Sequence, residues 1–552
     1  MSCAVLVATL AGSSEPTRAR HGMVVASDRL AAEVGREVLR DGGSAVDAAV
    51  ATAFALAVTL PAAGNIGGGG FLVHRAAGGP AAAYDFRETA PAAASPEMFL
   101  ADGVYDAVRH HDSHVAVGVP GSVAGLHRAW SDHGRLPWRR LVEPAVALAR
   151  DGFVLTWARA ASLAAALPRM SRYPASVAAF SNAGVPYGAG ERFRQPDLAA
   201  TLELIADGGP AGFYRGRTAA LVAREMAAHG GLITEADLAA YEPRVREPVR
   251  GTYRDYGVLS MPPPSSGGVT LVQMLNVLEG YDLQAAGHGS ALNVHRIVEA
   301  MRRGFADRAR HLGDPDFNPG MPVLRLTSKE YAVGLRAGID PDRASRSGPD
   351  TFEWPAAGNE TTHLSVVDAD RNAVALTTTL EQSYGSKIVV PGAGFLLNNE
   401  MGDFNAAPGL TTAGGLIGTA PNLAAPGKRM LSSMTPTIVT RDGRLFMVTG
   451  SPGGRTIINT VLHTILNVID FGMNVQEAVD APRFHHQWLP DELRYERRGL
   501  SPDTLALLEA RGHALAARTG QGAAHAIVFD AEADVLEGAA DPRRADAAAV
   551  GY

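Results

Sequence analysis

The sequence predicts a mixed α and β fold. Strand-like runs recur at Val115–Val119, Leu364–Val367, Ala373–Thr379 and Leu445–Val448, several followed by Gly, Pro and Ser turns. Helical periodicity then takes over in segments such as Thr456–Val468. Hydrophobic residues make up 46% of 552 positions, enough to bury a large core, and length alone leaves the domain count open. Charged residues at 19%, with 61 Gly and 34 Pro spread along the chain, exclude a disordered or fibrous protein.

Each element has a local cause. From Asp28, the apolar positions Leu30, Val34 and Val38 repeat at helical spacing, and Gly42-Gly43 supplies a stop that tolerates a left-handed backbone. Ser44 with Asp47 three residues on is a capping-box start for a second helix, whose Val46, Val50, Phe54 and Val58 leave almost no polar face. The run Ala45 to Ala63 contains Asp47 and Pro61 and falls short of the ~20 residues a membrane span needs, so it predicts a buried helix. Gly67 to Gly70 runs into Phe71-Leu72-Val73, a strand where a dinucleotide fingerprint requires a helix. The Gly, Ala, Pro and Thr-rich stretch from Ala406 to Gly427 reads as a mobile surface loop.

Charge narrows the partners. A formal net charge of −7 gives no basic stripe for a phosphate backbone, so a small-molecule substrate is expected, with no nucleic acid and no membrane. The single cysteine, Cys3, allows no internal disulfide and no cysteine metal site. His363, His485 and His486 lack ligand spacing with other donors, so packing or hydrogen bonding is their expected role, and neither metal nor cofactor is implied. The apolar stretch Ala4 to Ala11 has no preceding Lys or Arg, a poor export signal, and a cytoplasmic location is the expectation.

Four segments carry chemistry. Thr361 to Asp368 and Asn372 to Thr379 form a hairpin pattern about Ala369-Asp370-Arg371; a three-residue loop places Thr379 opposite Thr361, and a two-residue loop shifts the register by one. A threonine pair in a strand is ordinarily a β-branched filler, but an N-terminal threonine combines a hydroxyl nucleophile with its own α-amine as base, whose pKa of about 8 suits neutral pH. Arg444 to Arg455 is a strand, a glycine turn and a helix start, where Gly453 and Gly454 offer either an oxyanion hole or a plain turn. Ser432-Ser433 supplies two hydroxyls suited to a carboxylate. Asn398 to Phe404 carries Glu400 and Asp403, a holder for an ammonium group or a solvated acidic loop.

Together with Asp85-Phe86-Arg87-Glu88, Val117 to Gly121, Met261 to Gly268, Ala306-Asp307-Arg308, Ala481 to Pro490 and Asp541-Pro542-Arg543, these motifs resemble the gamma-glutamyltranspeptidase family from about Gly22 onward. The resemblance implies a four-layer αββα sandwich of the N-terminal nucleophile hydrolase type. It further implies self-cleavage at Glu360–Thr361 into a large chain, 1–360, and a small chain, 361–552, interleaved in one integrated fold as a heterodimer.

In that reading Thr361 attacks the carbonyl before it, then forms an acyl-enzyme with substrate. Thr379 hydrogen-bonds the Thr361 site, Gly453 and Gly454 hold the oxyanion, Arg87, Ser432 and Ser433 grip an α-carboxylate, and Asp403 with Glu400 holds an α-amino group. The family pattern usually places Asn two positions after the second threonine. This chain has Glu381 there, adding a carboxylate to the substrate-binding set. The implied activity is hydrolysis or transfer of a gamma-glutamyl group from an amide such as glutathione. Alternatives are a cytoplasmic relative in a natural-product pathway acting on a non-glutamyl amide or a C–C bond, and a non-catalytic scaffold.

Overall fold

The computed structural model describes residues 14–348, 361–410, 412 and 418–552. Cys3, the stretch Ala4 to Ala11 and Glu360 lie outside the described residues. Two seven-stranded sheets dominate. One runs in the order Ala548–Gly551, Met23–Ala26, Thr361–Val367, Ala373–Thr379, Gly69–Arg75, Ala81–Phe86, Arg244–Arg246. The other runs Thr17–Ala19, Val535–Ala540, His525–Asp530, Arg444–Gly450, Thr437–Arg441, Tyr256–Ser260, Val249–Tyr253. Segments on both sides of position 361 supply strands to both sheets, so the chain is one interleaved body.

Strand alternation sorts side chains into layers. Met23, Val25, Phe71, Val73 and Val367 point from the first sheet into a core shared with Leu259, Ile438, Val448 and Ile527 of the second. Their neighbours Val24, Ala26, Leu72, Leu364 and Val366 point the other way, onto a helical layer that includes Ala45–Thr59. Val258, Val439, Met447 and Ala526 pack outward against the helices Gly267–Leu278, Ala291–His311 and Thr456–Ile469. The expected four-layer αββα sandwich is the observed architecture.

The local signals resolve as the sequence predicts in most places. Asp28 caps the helix Arg29–Arg40 by accepting from the Ala31 N–H, and Ser44 and Asp47 form a complete capping box on Ala45–Thr59, whose every residue is buried. Gly69–Arg75 is a strand. Two expectations need correction. Val115–Val119 is not a strand: Ser113 caps a 3-10 turn at His114–Ala116, and only Val119 pairs, bridging Thr89. The stretch from Ala406 to Gly427 is a surface loop only in part where it is described: Pro408, Gly409, Ala420, Pro426 and Gly427 are exposed, while Ala406, Ala407, Asn422 and Ala424 are buried. Small side chains let that segment pack tightly, and Asn422 ties it down by donating to Asp403 O at 2.7 Å and accepting from Leu431 N–H at 2.8 Å.

Candidate active site

The hairpin register places the two candidate threonines. Asp368 pairs with Asn372 through the three-residue turn, with Arg371 in the left-handed region at φ 66°, and the ladder runs without interruption to Thr361 opposite Thr379. Gly69–Arg75 flanks Ala373–Thr379 on its far side, pairing Thr379 with Gly69. The adjoining glycine is sterically required: a Cβ on Gly68 would sit 2.2 Å from Thr379 O. The glycine run is therefore a backing for the Thr379 strand.

Thr361 and Thr379 open onto a cavity of about 700 Å³, including its mouth, shared with Arg87, Glu381, Asp403, Ser432, Ser433 and Gly454. Eight candidates drawn from distant parts of the sequence thus converge. Glu400 lies behind this wall, fully buried, and Gly453 lines a separate cavity beside Gly520 and Gly522. Gly453 and Gly454, at φ 133° and 54°, turn the chain from the strand Arg444–Gly450 into the helix Thr456–Ile469.

One buried cation organises the acidic side. Arg87 Nη1 lies 2.5 Å from Glu400 Oε2 and 3.5 Å from Glu88 Oε2, Nη2 donates to Asp403, and Nε donates to Met430 O at 3.3 Å. Three carboxyls around a single guanidinium leave excess negative charge in a dry setting. Burial, partly offset by Arg87, pushes the Glu88 carboxyl up to about 7. The Glu400 carboxyl is driven well above its ordinary range, by burial first and then by its acidic neighbours against the pull of Arg87.

The opposite side is cationic, and the sequence pattern had not marked its two arginines as site residues. Arg308 donates from Nη2 to Ser433 Oγ at 2.9 Å and from Nε to Ser266 Oγ at 2.6 Å, and Arg455, which immediately precedes the helix Thr456–Ile469, lines the same cavity. Burial, then the charge of Arg455, holds the Arg308 guanidinium well below its usual range; burial lowers Arg455 to about 10. Two desolvated guanidiniums and two serine hydroxyls suit an anionic group.

Glu381 completes the lining from a strained backbone, at φ 75°, with its N–H donating to Thr379 Oγ1 at 2.8 Å. Its Oε1 lies 3.3 Å from Nδ1 of His111, a third residue sequence reasoning missed. Burial raises the Glu381 carboxyl despite His111, and the His111 imidazole ends up raised because Glu381, Asp403 and Asp112 override its own burial.

His363, His485 and His486 are each held in hydrogen bonds. His363 meets Thr377 and Ser365, His485 meets Asn459 and Gln487, and His486 meets Asp491.

A two-sheet sandwich with its candidate nucleophile at the start of an inner strand defines the N-terminal nucleophile hydrolases. The chain belongs to the gamma-glutamyltranspeptidase family, matching it over residues 31–551. It is 48% identical over 545 residues to the glutathione hydrolase proenzyme of Escherichia coli (strain K12), covering 97% of this chain and 93% of that protein. It is 38% identical to the acylase ACY 1 proenzyme of Pseudomonas sp. (strain SE83), covering 97% and 94%. Among solved structures, the cephalosporin acylase from Bacillus halodurans superposes with a TM-score of 0.87 at 27% identity over 100% of this chain and 99% of that one. A Helicobacter pylori gamma-glutamyltranspeptidase chain gives 0.58 at 43% identity, covering 61% and 95%.

Proposed function

We propose that this hydrolase/transferase cuts its own chain at Glu360–Thr361 and then cleaves a gamma-glutamyl amide of the glutathione type. The observation that carries the reading is the convergence of Thr361 with two oppositely charged walls in one cavity. A zwitterionic head group fits that polarity: its α-carboxylate falls to Arg87, Ser432, Ser433 and Arg308, and its α-ammonium to Asp403 with the Glu400 carboxyl behind it, while Glu381 adds a further carboxyl beside that end. The side-chain carbonyl then reaches toward Thr361.

The chemistry follows from residue type. The α-amine of Thr361 accepts the proton of its own hydroxyl, Oγ attacks the amide carbonyl, and the oxyanion takes N–H donors from the Gly453-Gly454 turn. Collapse of that intermediate expels the amine, which takes up the proton, and leaves a Thr361 ester. Water or an acceptor amine, activated by the same α-amine, releases the acyl group. Thr379, across the ladder, positions the nucleophile.

The E. coli glutathione hydrolase, at 48% identity, is more similar to this chain than the acylase ACY 1 proteins at 38%, which supports the glutamyl reading over other amides. Release of chromophore from a gamma-glutamyl anilide tests it. Turnover lost in Thr361→Ala supports the reading, and a wild-type enzyme that is processed yet inert toward both anilide and glutathione overturns it.

A further inference from the structure

Among the described residues, one group of three metal-ligating side chains lies outside the catalytic cavity: His114, Glu225 and His229. His114 opens the 3-10 turn His114–Ala116. Glu225 and His229 stand one turn apart at the end of the helix Gly216–Ala228, the i, i+4 spacing that places two ligands on one helix face. His114 Nε2 lies 3.0 Å from Glu225 Oε1, and His229 Nδ1 lies 3.2 Å from the same oxygen. The ligand atoms of all three lie within 4.8 Å of one another, and the two imidazoles stack at 4.7 Å with 12° between their planes.

We propose that His114, Glu225 and His229 bind a divalent transition ion of the zinc or cobalt type. Two imidazoles and a carboxylate are donors such ions favour over magnesium or calcium. On a tetrahedral ion with bonds of about 2.0–2.1 Å, ligand atoms stand about 3.4 Å apart, close to the two separations seen here. The His114 and Glu225 side chains are 7% and 11% exposed and fix one wall, while His229, 53% exposed, closes the site from the solvent side. Water takes the remaining position. A hydrogen-bonded array is the competing use of the same atoms, with the Glu225 carboxylate facing both rings and His229 Nδ1 also 3.1 Å from the backbone carbonyl oxygen of Glu225.

The ion would tie together two segments about a hundred residues apart in sequence. His114 lies three residues after His111, which faces Glu381. Four residues on, Gly118 donates to Asn398 Oδ1 at 2.9 Å, the same oxygen that accepts from Glu400 N–H. An ion at His114 would therefore anchor to the helix Gly216–Ala228 the strip of chain that borders the acidic wall of the cavity.

The test uses untagged full-length protein stripped with a chelator and titrated with Co²⁺, followed by visible absorption and calorimetry. The proposal expects one equivalent per chain with tetrahedral cobalt bands, displaced by Zn²⁺, together with a rise in Tm. His229→Ala, at an exposed position, should keep its fold. It should lose affinity by more than the roughly 10–100-fold that removing a ligand's supporting hydrogen bond costs. No saturable binding in the wild type, or unchanged binding in both His229→Ala and His114→Ala, overturns the proposal.

Discussion

His111 meets Glu381 across 3.3 Å at the rim of the threonine cavity, so the carboxylate that departs from the family's usual asparagine is balanced by an imidazole from another element. The pair sets the charge at the ammonium end of the proposed substrate. Replacing Glu381 with Asn restores the family amide and removes a buried carboxyl that competes with Asp403. Glu381→Asn is expected to raise kcat/KM for a gamma-glutamyl anilide. An unchanged or lower value would show that Glu381 does not restrain glutamyl turnover.

Arg308 ties Ser433 to the cationic wall, and its fork cannot be reproduced by a lysine point charge. Losing a hydrogen bond between charged groups costs roughly 1.5–3 kcal/mol, equivalent to about 10–100-fold. Arg308→Lys should raise KM for the anilide by that factor with a smaller change in kcat. A variant with wild-type KM would remove Arg308 from carboxylate recognition.

Gly68 leaves no room for a side chain, because its Cβ would stand 2.2 Å from Thr379 O. Gly68→Ala must push the Thr379 strand aside, at a cost of about 1–3 kcal/mol for overpacking. A lower Tm together with slowed self-cleavage is the expected pair of effects. Normal cleavage in a normally stable Gly68→Ala protein would separate the glycine run from Thr379 positioning.

Glu88 makes stability depend on pH. Its folded carboxyl sits at about 7 against an ordinary 4.5, so the folded state holds a proton that the unfolded chain releases. The contribution is fully present below about pH 4.5 and is lost as pH rises through about 7. Glu88→Gln cannot titrate, so its Tm should gain on the wild type between those limits and keep a constant lead above them. Thermal melts at a series of pH values measure this. A Tm difference that does not vary with pH would contradict it.

Much of this was legible because the deciding signals are local. The caps at Asp28 and Ser44, and a three-residue turn that fixes the Thr361 to Thr379 register, need only neighbours in sequence. Val115–Val119 was not legible in the same way, since its β-branched residues carry strand propensity while Ser113 caps a turn. Arg308 had a readable signal. On Ala291–His311, Val294, Ile297, Met301 and Phe305 define the buried stripe, and Arg308 falls on it where an apolar residue belongs. His111 had none, because its contact with Glu381 joins positions 270 residues apart, through tertiary packing alone.

The central claim is that Thr361 becomes an N-terminal nucleophile, and intact mass measurement of the purified protein with its active fraction tests it most directly. The account predicts two species, 1–360 and a fragment beginning at Thr361, in every active preparation, and a single 57.7 kDa inactive chain for Thr361→Ala. Full turnover by a wild-type chain uncut at that bond would contradict it.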